Sequence, residues 1–412
     1  MMGMSWRLAW RSLGRSRRRT LLSVLGVSVG CAIAVFALAF MRGGRELRVR
    51  AIAESGFGHA RVVPAGWEQS RRDELRLKNW RRTLEAVRAV EGVAAAAPHA
   101  RTSGLLAFGT RSVGVQILGV DALAEPKINR LVRAVVAGRY LKPGDAGAVV
   151  VGQALVERLD VELGDALLLT LSRSDGALEY AMLEIVGIVS TGSREIDHSI
   201  CHVGLAEVEK LTGLVGAGEI TVAFKQAKRV DEFVVEMAAL VGADEVVLSW
   251  REVLPAMGGD AAGDQAFTNL FIGIVVAVVV LGVTSAQLTA MLERRREFAV
   301  LMALGMRGGQ IMRLVLLEAG VLGVMGAFVG LSLAAIPVYY TATRGIDFSE
   351  LMKGDIAISG VFFDPIIYAD MGGWMVLYAL FISCLSTLVA ALYPAFSVLR
   401  TDPGSALSLR EV

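Results

Sequence analysis

The sequence predicts an α-helical membrane protein, with four transmembrane helices plus a large α/β domain outside the membrane that carries a β-rich insertion. Three observations predict it. Four stretches carry almost no charge: Thr20–Met41, Ala266–Leu292, Ala319–Thr343 and Met371–Leu399. Each has about the 20 apolar residues that cross a bilayer core of roughly 30 Å. Their spacing is very uneven, so a domain-sized segment separates the first two and only short loops separate the rest. Hydrophobic residues make up 54% of the chain, more than a soluble chain of this length usually carries.

Charge placement orients the spans. Residues 1–19 hold Arg7, Arg11, Arg15, Arg17, Arg18 and Arg19 and no acid. The loop after span two holds Arg294, Arg295, Arg296, Arg307 and Arg313. The loop after span three is acid-rich: Asp347, Glu350, Asp355, Asp364 and Asp370 against Arg344 and Lys353. The positive-inside rule places both termini and the basic loop in the cytoplasm and the large domain on the far side. The expected order is a cytoplasmic amphipathic helix (1–19), span one (20–41), outer domain (42–265), span two (266–292), cytoplasmic loop (293–313), span three (314–343), outer loop (344–370), span four (371–399) and a cytoplasmic tail (400–412). A net charge of +2 gives no nucleic-acid signal.

Residues Ser5–Arg18 put Trp6, Trp10 and Leu13 near one helical face and arginines on another. Such a helix lies in the headgroup layer, unless it is a plain topogenic charge cluster. A signal-peptide reading of span one has an A-x-A pattern at Ala37-Leu38-Ala39. The apolar run before it, about 16 residues, is longer than a usual signal core.

The outer domain alternates strand and helix signals. His59–Val63 is a short strand, and Leu77–Val90 has helical spacing at Leu77, Trp80, Leu84, Val87 and Val90. Leu105–Phe108 and Val113–Val120 follow as strands. Late in the segment come a strand at Glu219–Phe224, a helix at Val230–Val241 and a strand at Glu245–Ser249. The two ends therefore predict one α/β subdomain, about 42–137 and 215–265. Between them, Ala148–Val151, Ala166–Leu171 and Tyr180–Val189 are strand-like, with one helix at Gln153–Leu159. That stretch, about 138–214, is the β-rich insertion. Cys31 and Cys384 fall in spans and Cys201 is alone in the outer domain, so no intradomain disulfide is expected.

Enzyme chemistry finds little support. A P-loop needs Gly-Lys followed by Ser or Thr, and no lysine of this chain follows a glycine. The chain is expected to hold no catalytic, cofactor or metal residues. His198 and His202 would share a Zn²⁺ on a helix, but Ile200 and Val203 favour a strand. Glu318, near the start of span three, is either functional or held by snorkelling or an ion pair. Gly26 and Gly30, and Gly320, Gly323, Gly326 and Gly330, have the small-residue spacing that lets helices approach.

The informative segment is Glu293–Arg307. Phe298, Leu301, Met302 and Leu304 form an apolar stripe beside charges, broken by Gly305 and Gly308-Gly309. A short helix of this kind either docks in a groove of a soluble partner or lies on lipid.

Segment REFAVLMALGMRGGQIMRLVLLEAGVLGVMGAFVG, Arg296–Gly330, resembles the signature of FtsX-like ABC-transporter permeases, a family that includes Lol lipoprotein-release subunits and MacB-type exporters. The N-terminal WRLAWRSLGRSRRRTLLSVLGVSVG, the stretch Gly138–Leu169 and YPAFSVLRTDPGSAL, Tyr393–Leu407, are similar to the same family. The resemblance implies a periplasmic domain, an inner-membrane location and a dimer of permeases, identical or related, bound to an ABC ATPase subunit dimer that holds ATP and Mg. It implies mechanotransmission rather than a substrate tunnel. Glu297, Phe298, Leu301, Leu304, Gly305 and Met306 match the coupling helix that docks on the ATPase. The Lol-type reading adds a lipoprotein substrate, a periplasmic carrier, and acyl-chain entry beside Phe36, Phe40, Phe267 and Phe271. The alternatives are an efflux-type permease for drugs or peptides with an adaptor, and an FtsX-like regulator of cell-wall hydrolases.

Overall fold

The computed structural model describes residues 17–70, 72–226, 229–293, 295–349, 357–358 and 361–399. The amphipathic segment Ser5–Arg18 lies, except for its last two residues, outside the described residues, as does the tail 400–412. The chain divides into two units. One gathers the apolar helices, and the other comprises Arg45–Ala261 with Asp347–Ile366.

Among the described residues, four helices are long and apolar enough to cross a membrane: Thr20–Glu54, Gln265–Glu293, Gly308–Arg344 and Trp374–Phe396. Three outrun their apolar stretches. Helix α1 is Arg17–Glu54 and does not stop at Met41. Gly43-Gly44 reads as a break, but the residues that follow, Arg45 to Glu54, are mostly good helix formers. The helix that carries span two begins at Pro255, whose ring suits a first helical turn. The one that carries span three begins at Gly308.

The large sheet of the outer unit has ten strands among the described residues: β1 (Ala60–Pro64), β2 (Val93–Phe108), β3 (Arg111–Val120), β4 (Val135–Gly138), β5 (Ala148–Gly152), β6 (Ala166–Ser172), β7 (Leu178–Val189), β8 (Cys201–Gly204), β9 (Glu219–Phe224) and β10 (Glu245–Ser249). Their order is β10-β1-β9-β2-β3-β8-β5-β7-β4, and β6 pairs with both β2 and β7. The pairings therefore close a ring of six strands, β2-β3-β8-β5-β7-β6. Strand β2 makes this possible by using one edge twice. Val93 to His99 pair with β9, and Gly104 to Ala107 pair with β6. At Gly104 a Cβ would stand 2.9 Å from Leu169 and 3.0 Å from the Thr170 carbonyl oxygen, so a side chain would wedge the closure apart.

The two largest apolar cores of the unit follow from this layout. The ring is filled by Leu106, Val115, Ile117, Val149, Leu167, Leu169, Leu183 and Ile185, with Leu155 and Leu159 of helix α2 (Gln153–Leu159) and Val208 and Leu211 of α3 (Leu205–Thr212). Strand β6 alternates buried and exposed residues, as a strand with one dry face must. The second core joins Val62, Leu84, Val87, Ile220, Val222, Phe233, Met237, Val247 and Trp250. It also takes in Val361 from the loop after span three. The stretch expected as an insertion, 138–214, does not close by itself, because β2 and β3 supply two of the six ring strands. The helix expected at Leu77–Val90 is Trp80–Ala89, with Leu77 buried ahead of it.

Candidate functional site

The Glu293–Arg307 segment folds as helix α4 (Arg295–Ala303), followed directly by α5 (Gly308–Arg344). The turn between them has a defined geometry. The Gly305 amide donates to the Met302 carbonyl and the Met306 amide to the Leu301 carbonyl, both at 3.0 Å. Gly305 has φ +95°. This is the six-to-one and five-to-two pattern that closes a helix on a left-handed residue, and only glycine takes it without strain. The usual apolar contact comes with it, since Leu301 and Met306 share one cluster. Helix α5 is then started by Gln310, whose side-chain oxygen accepts from the Arg307 amide at 2.9 Å.

This fold sorts the apolar residues of the segment. Phe298 is buried, packed with Ile311, Val315 and Ala395. Leu301, Met302 and Met306 pack against the same cluster. Leu304 stays 79% exposed and Val300 47% exposed. Glu297 is half-buried. The stripe seen in the sequence therefore has two sides: Phe298, Leu301 and Met306 fix the helix to its own chain, while Leu304 and Val300 face outward.

Glu318 is buried on α5 and is not without a partner. Phe36 and Phe40 stack on α1, with ring centroids 6.2 Å apart. Phe36 packs in a cluster that also contains Ile272, Val276 and Trp374. Phe267 is 61% exposed and Phe271 half-buried. The glycines of α5 do different jobs. A Cβ at Gly330 would meet Cys31 and the Ser28 carbonyl of α1, one at Gly326 would meet Val27, and one at Gly323 would meet Thr387 and Cys384. Gly320 faces open space.

The outer unit holds a buried polar network that sequence reading did not anticipate. His99 Nε2 lies 2.6 Å from Glu125 Oε2 and its Nδ1 lies 3.0 Å from Thr221 Oγ1. Asn129 donates to the other Glu125 oxygen at 2.8 Å. Glu219 accepts from Arg61 at 2.9 Å and from Arg101 at 3.1 Å. Burial alone would raise the Glu125 pKa, yet the charge and hydrogen bond of His99 hold it down at about 2. Glu219 is likewise held at about 2 against burial, by Arg101, Arg61 and His99. His202 lies on β8 with the Tyr140 hydroxyl 2.7 Å from its Nδ1, and burial lowers its pKa to about 4. His198 follows a short helix at Arg194–Asp197. The two histidines do not share one helix, and no group of three potential metal ligands occurs among the described residues.

The MacB-like periplasmic core domain family matches residues 20–240, and the FtsX-like permease C-terminal family matches residues 269–403. A relative from Xylella fastidiosa, the lipoprotein-releasing system transmembrane protein LolC, is 21% identical over 94% of this chain and 93% of its own length. LolE from Haemophilus influenzae is 22% identical with the same coverage. The macrolide export ATP-binding/permease protein MacB from Campylobacter jejuni is 24% identical over 98% of this chain but 61% of its own length. The first family match takes in span one and the outer sheet from β1 to β9, and the second takes in the other three apolar spans; the chain belongs to the FtsX-like permease family of ABC transporters with a MacB-like periplasmic core domain.

Proposed function

We propose that this chain is the permease subunit of a mechanotransmitting ABC transporter that releases lipoproteins from the inner membrane. A separate ATPase subunit dimer binds ATP and Mg and docks on α4. The observation that carries the lipoprotein reading is end-to-end correspondence with LolC and LolE, over 94% of this chain and 93% of theirs.

The mechanical part rests on α1 and α4. Helix α1 continues 13 residues past Met41, about 20 Å of unbroken helix at 1.5 Å per residue. A tilt imposed on span one is carried along it as on a rod. Helix α4 presents Leu304 and Val300 outward while Phe298 anchors it, which is what a docking helix requires. Both termini and α4 face the cytoplasm in this reading, following the arginine bias. A second permease subunit, identical or related, completes the complex. Acyl chains enter beside Phe36, Phe40, Phe267 and Phe271, and Glu318 serves packing inside the helix unit rather than transport.

Depletion tests the substrate. Lipoproteins retained in the inner membrane support the reading. Normal lipoprotein sorting with new sensitivity to drugs or peptides shifts it to an efflux permease, a reading favoured by the 24% identity to MacB.

A further inference from the structure

A cavity of ≈ 410 Å³ lies in the outer unit, away from the sheet ring. Three elements and a connecting residue line it. Glu46, Arg50, Ala53 and Glu54 come from α1, and His59 precedes β1. Lys127 and Ile128 come from a short turn, and Ala223 to Gln226 from the end of β9. Its charge is one-sided once pairing is counted. Glu54 is drawn to Arg130 at 3.3 Å. Among the described residues Arg50, Lys127 and Lys225 make no ion pair. Of the lining side chains Arg50, Lys127 and Lys225 stand against Glu46 and Glu54, so the cavity is net cationic, and Arg130 draws Glu54 from outside it.

His59 adds a directional group. It is 6% exposed. Its Nδ1 accepts from the Phe224 amide at 3.0 Å, so that nitrogen carries no proton in the neutral ring. Burial lowers the His59 pKa to about 4, which keeps the ring neutral and puts its one proton on Nε2. That Nε2–H has no acceptor in the described protein. A buried donor without an acceptor costs free energy, and a bound acceptor removes the cost.

We propose that this cavity binds a phosphate-type oxyanion, held by Arg50, Lys127 and Lys225 and accepting a hydrogen bond from His59 Nε2–H. The cationic excess of the lining suits an anion, and the volume leaves room for a substituent on the phosphate. Free phosphate esters and lipid headgroups share this chemistry. Occupancy would tie the root of α1 to the sheet through one ligand.

The test uses the full chain in a nonionic detergent, titrated with inorganic phosphate and with glycerol phosphate by calorimetry. Saturable binding is expected, weakened at least about ten-fold by Lys127→Gln, by Lys225→Gln and by His59→Asn. Asparagine keeps an oxygen for the Phe224 amide while removing the Nε2–H, so the fold is retained. A second arm places the protein in nanodiscs of phosphatidylcholine with or without phosphatidylglycerol. Competition by phosphatidylglycerol assigns the site to a headgroup, and its absence assigns it to a soluble phosphate. No saturable binding in the first arm, or binding that all three variants leave unchanged, overturns the proposal and leaves a water-filled cavity.

Discussion

Gly43→Ala should damage the junction between span one and the start of span four, and Gly44→Ala should not. A Cβ at Gly43 would overlap the Tyr368 carbonyl oxygen and stand 2.8 Å from its carbon and 3.0 Å from Ala369 Cα. These are backbone atoms, so no rotamer change relieves the overlap and the Tyr368–Asp370 segment has to withdraw. Two contacts go with it. The Asp370 amide donates to the Ala39 carbonyl at 2.9 Å, worth about 1 kcal/mol. The Arg42 side chain, 3.5 Å from the Asp370 carboxylate, also lies over the Trp374 ring at 4.3 Å; the cation–π part is worth about 0.5–1 kcal/mol. Overpacking itself costs about 1–3 kcal/mol, and alanine returns up to about 1 kcal/mol of helix propensity. The net expectation is a loss of about 2–3 kcal/mol. At Gly44 the nearest atom to an added Cβ is 3.9 Å away, so only the propensity gain remains. Reversible unfolding of the detergent-solubilised protein reads both. Equal stability for the two variants would refute the reasoning.

Further outcomes follow from the same geometry. Gly330→Ala places a Cβ 2.7 Å from Cys31 Cβ and 2.8 Å from the Ser28 carbonyl oxygen, whereas Gly320→Ala meets nothing. The first should cost about 1–2 kcal/mol and the second none, as read by the same unfolding measurement; a reversed order would place the α1–α5 contact elsewhere. Acid should unfold the outer unit in two stages. His59 and His202 have folded pKa values near 4 against 6.5 unfolded. The unfolded chain thus binds more protons between these values, and stability falls as pH drops from about 6.5 to 4, by up to about 2.7 kcal/mol per pH unit for two groups. Glu125 and Glu219, held at about 2, add stability that is present above their unfolded pKa near 4.5 and is lost as pH falls from there through 2. Tryptophan fluorescence against pH checks this, and flat stability between pH 7 and 4 would contradict it.

The sequence exposes most where a pattern is local. Strands β9 and β10 and helix α2 have the bounds expected from their short local runs. Long-range events are hidden. Closure of the ring depends on β2 meeting β6 across more than 60 residues, and the alanine-rich start of β2 has no alternating pattern to mark it as strand. The buried network is equally dispersed, with Arg61 and Glu219 separated by 158 positions. At α4 the apolar residues were legible but their sides were not. Only the Gly305 turn decides that Leu301 and Met306 face inward and Leu304 outward.

That outward residue gives the most direct test of energy entering through α4. Leu304 is 79% exposed, so Leu304→Asp leaves the fold intact, which unchanged thermal unfolding confirms. The wild-type chain, affinity-purified from native membranes, should bring an ATP-hydrolysing subunit with it, and Leu304→Asp should lose that subunit and its ATP turnover. Recovery of the same ATPase activity with Leu304→Asp, or none with the wild type, would contradict the account.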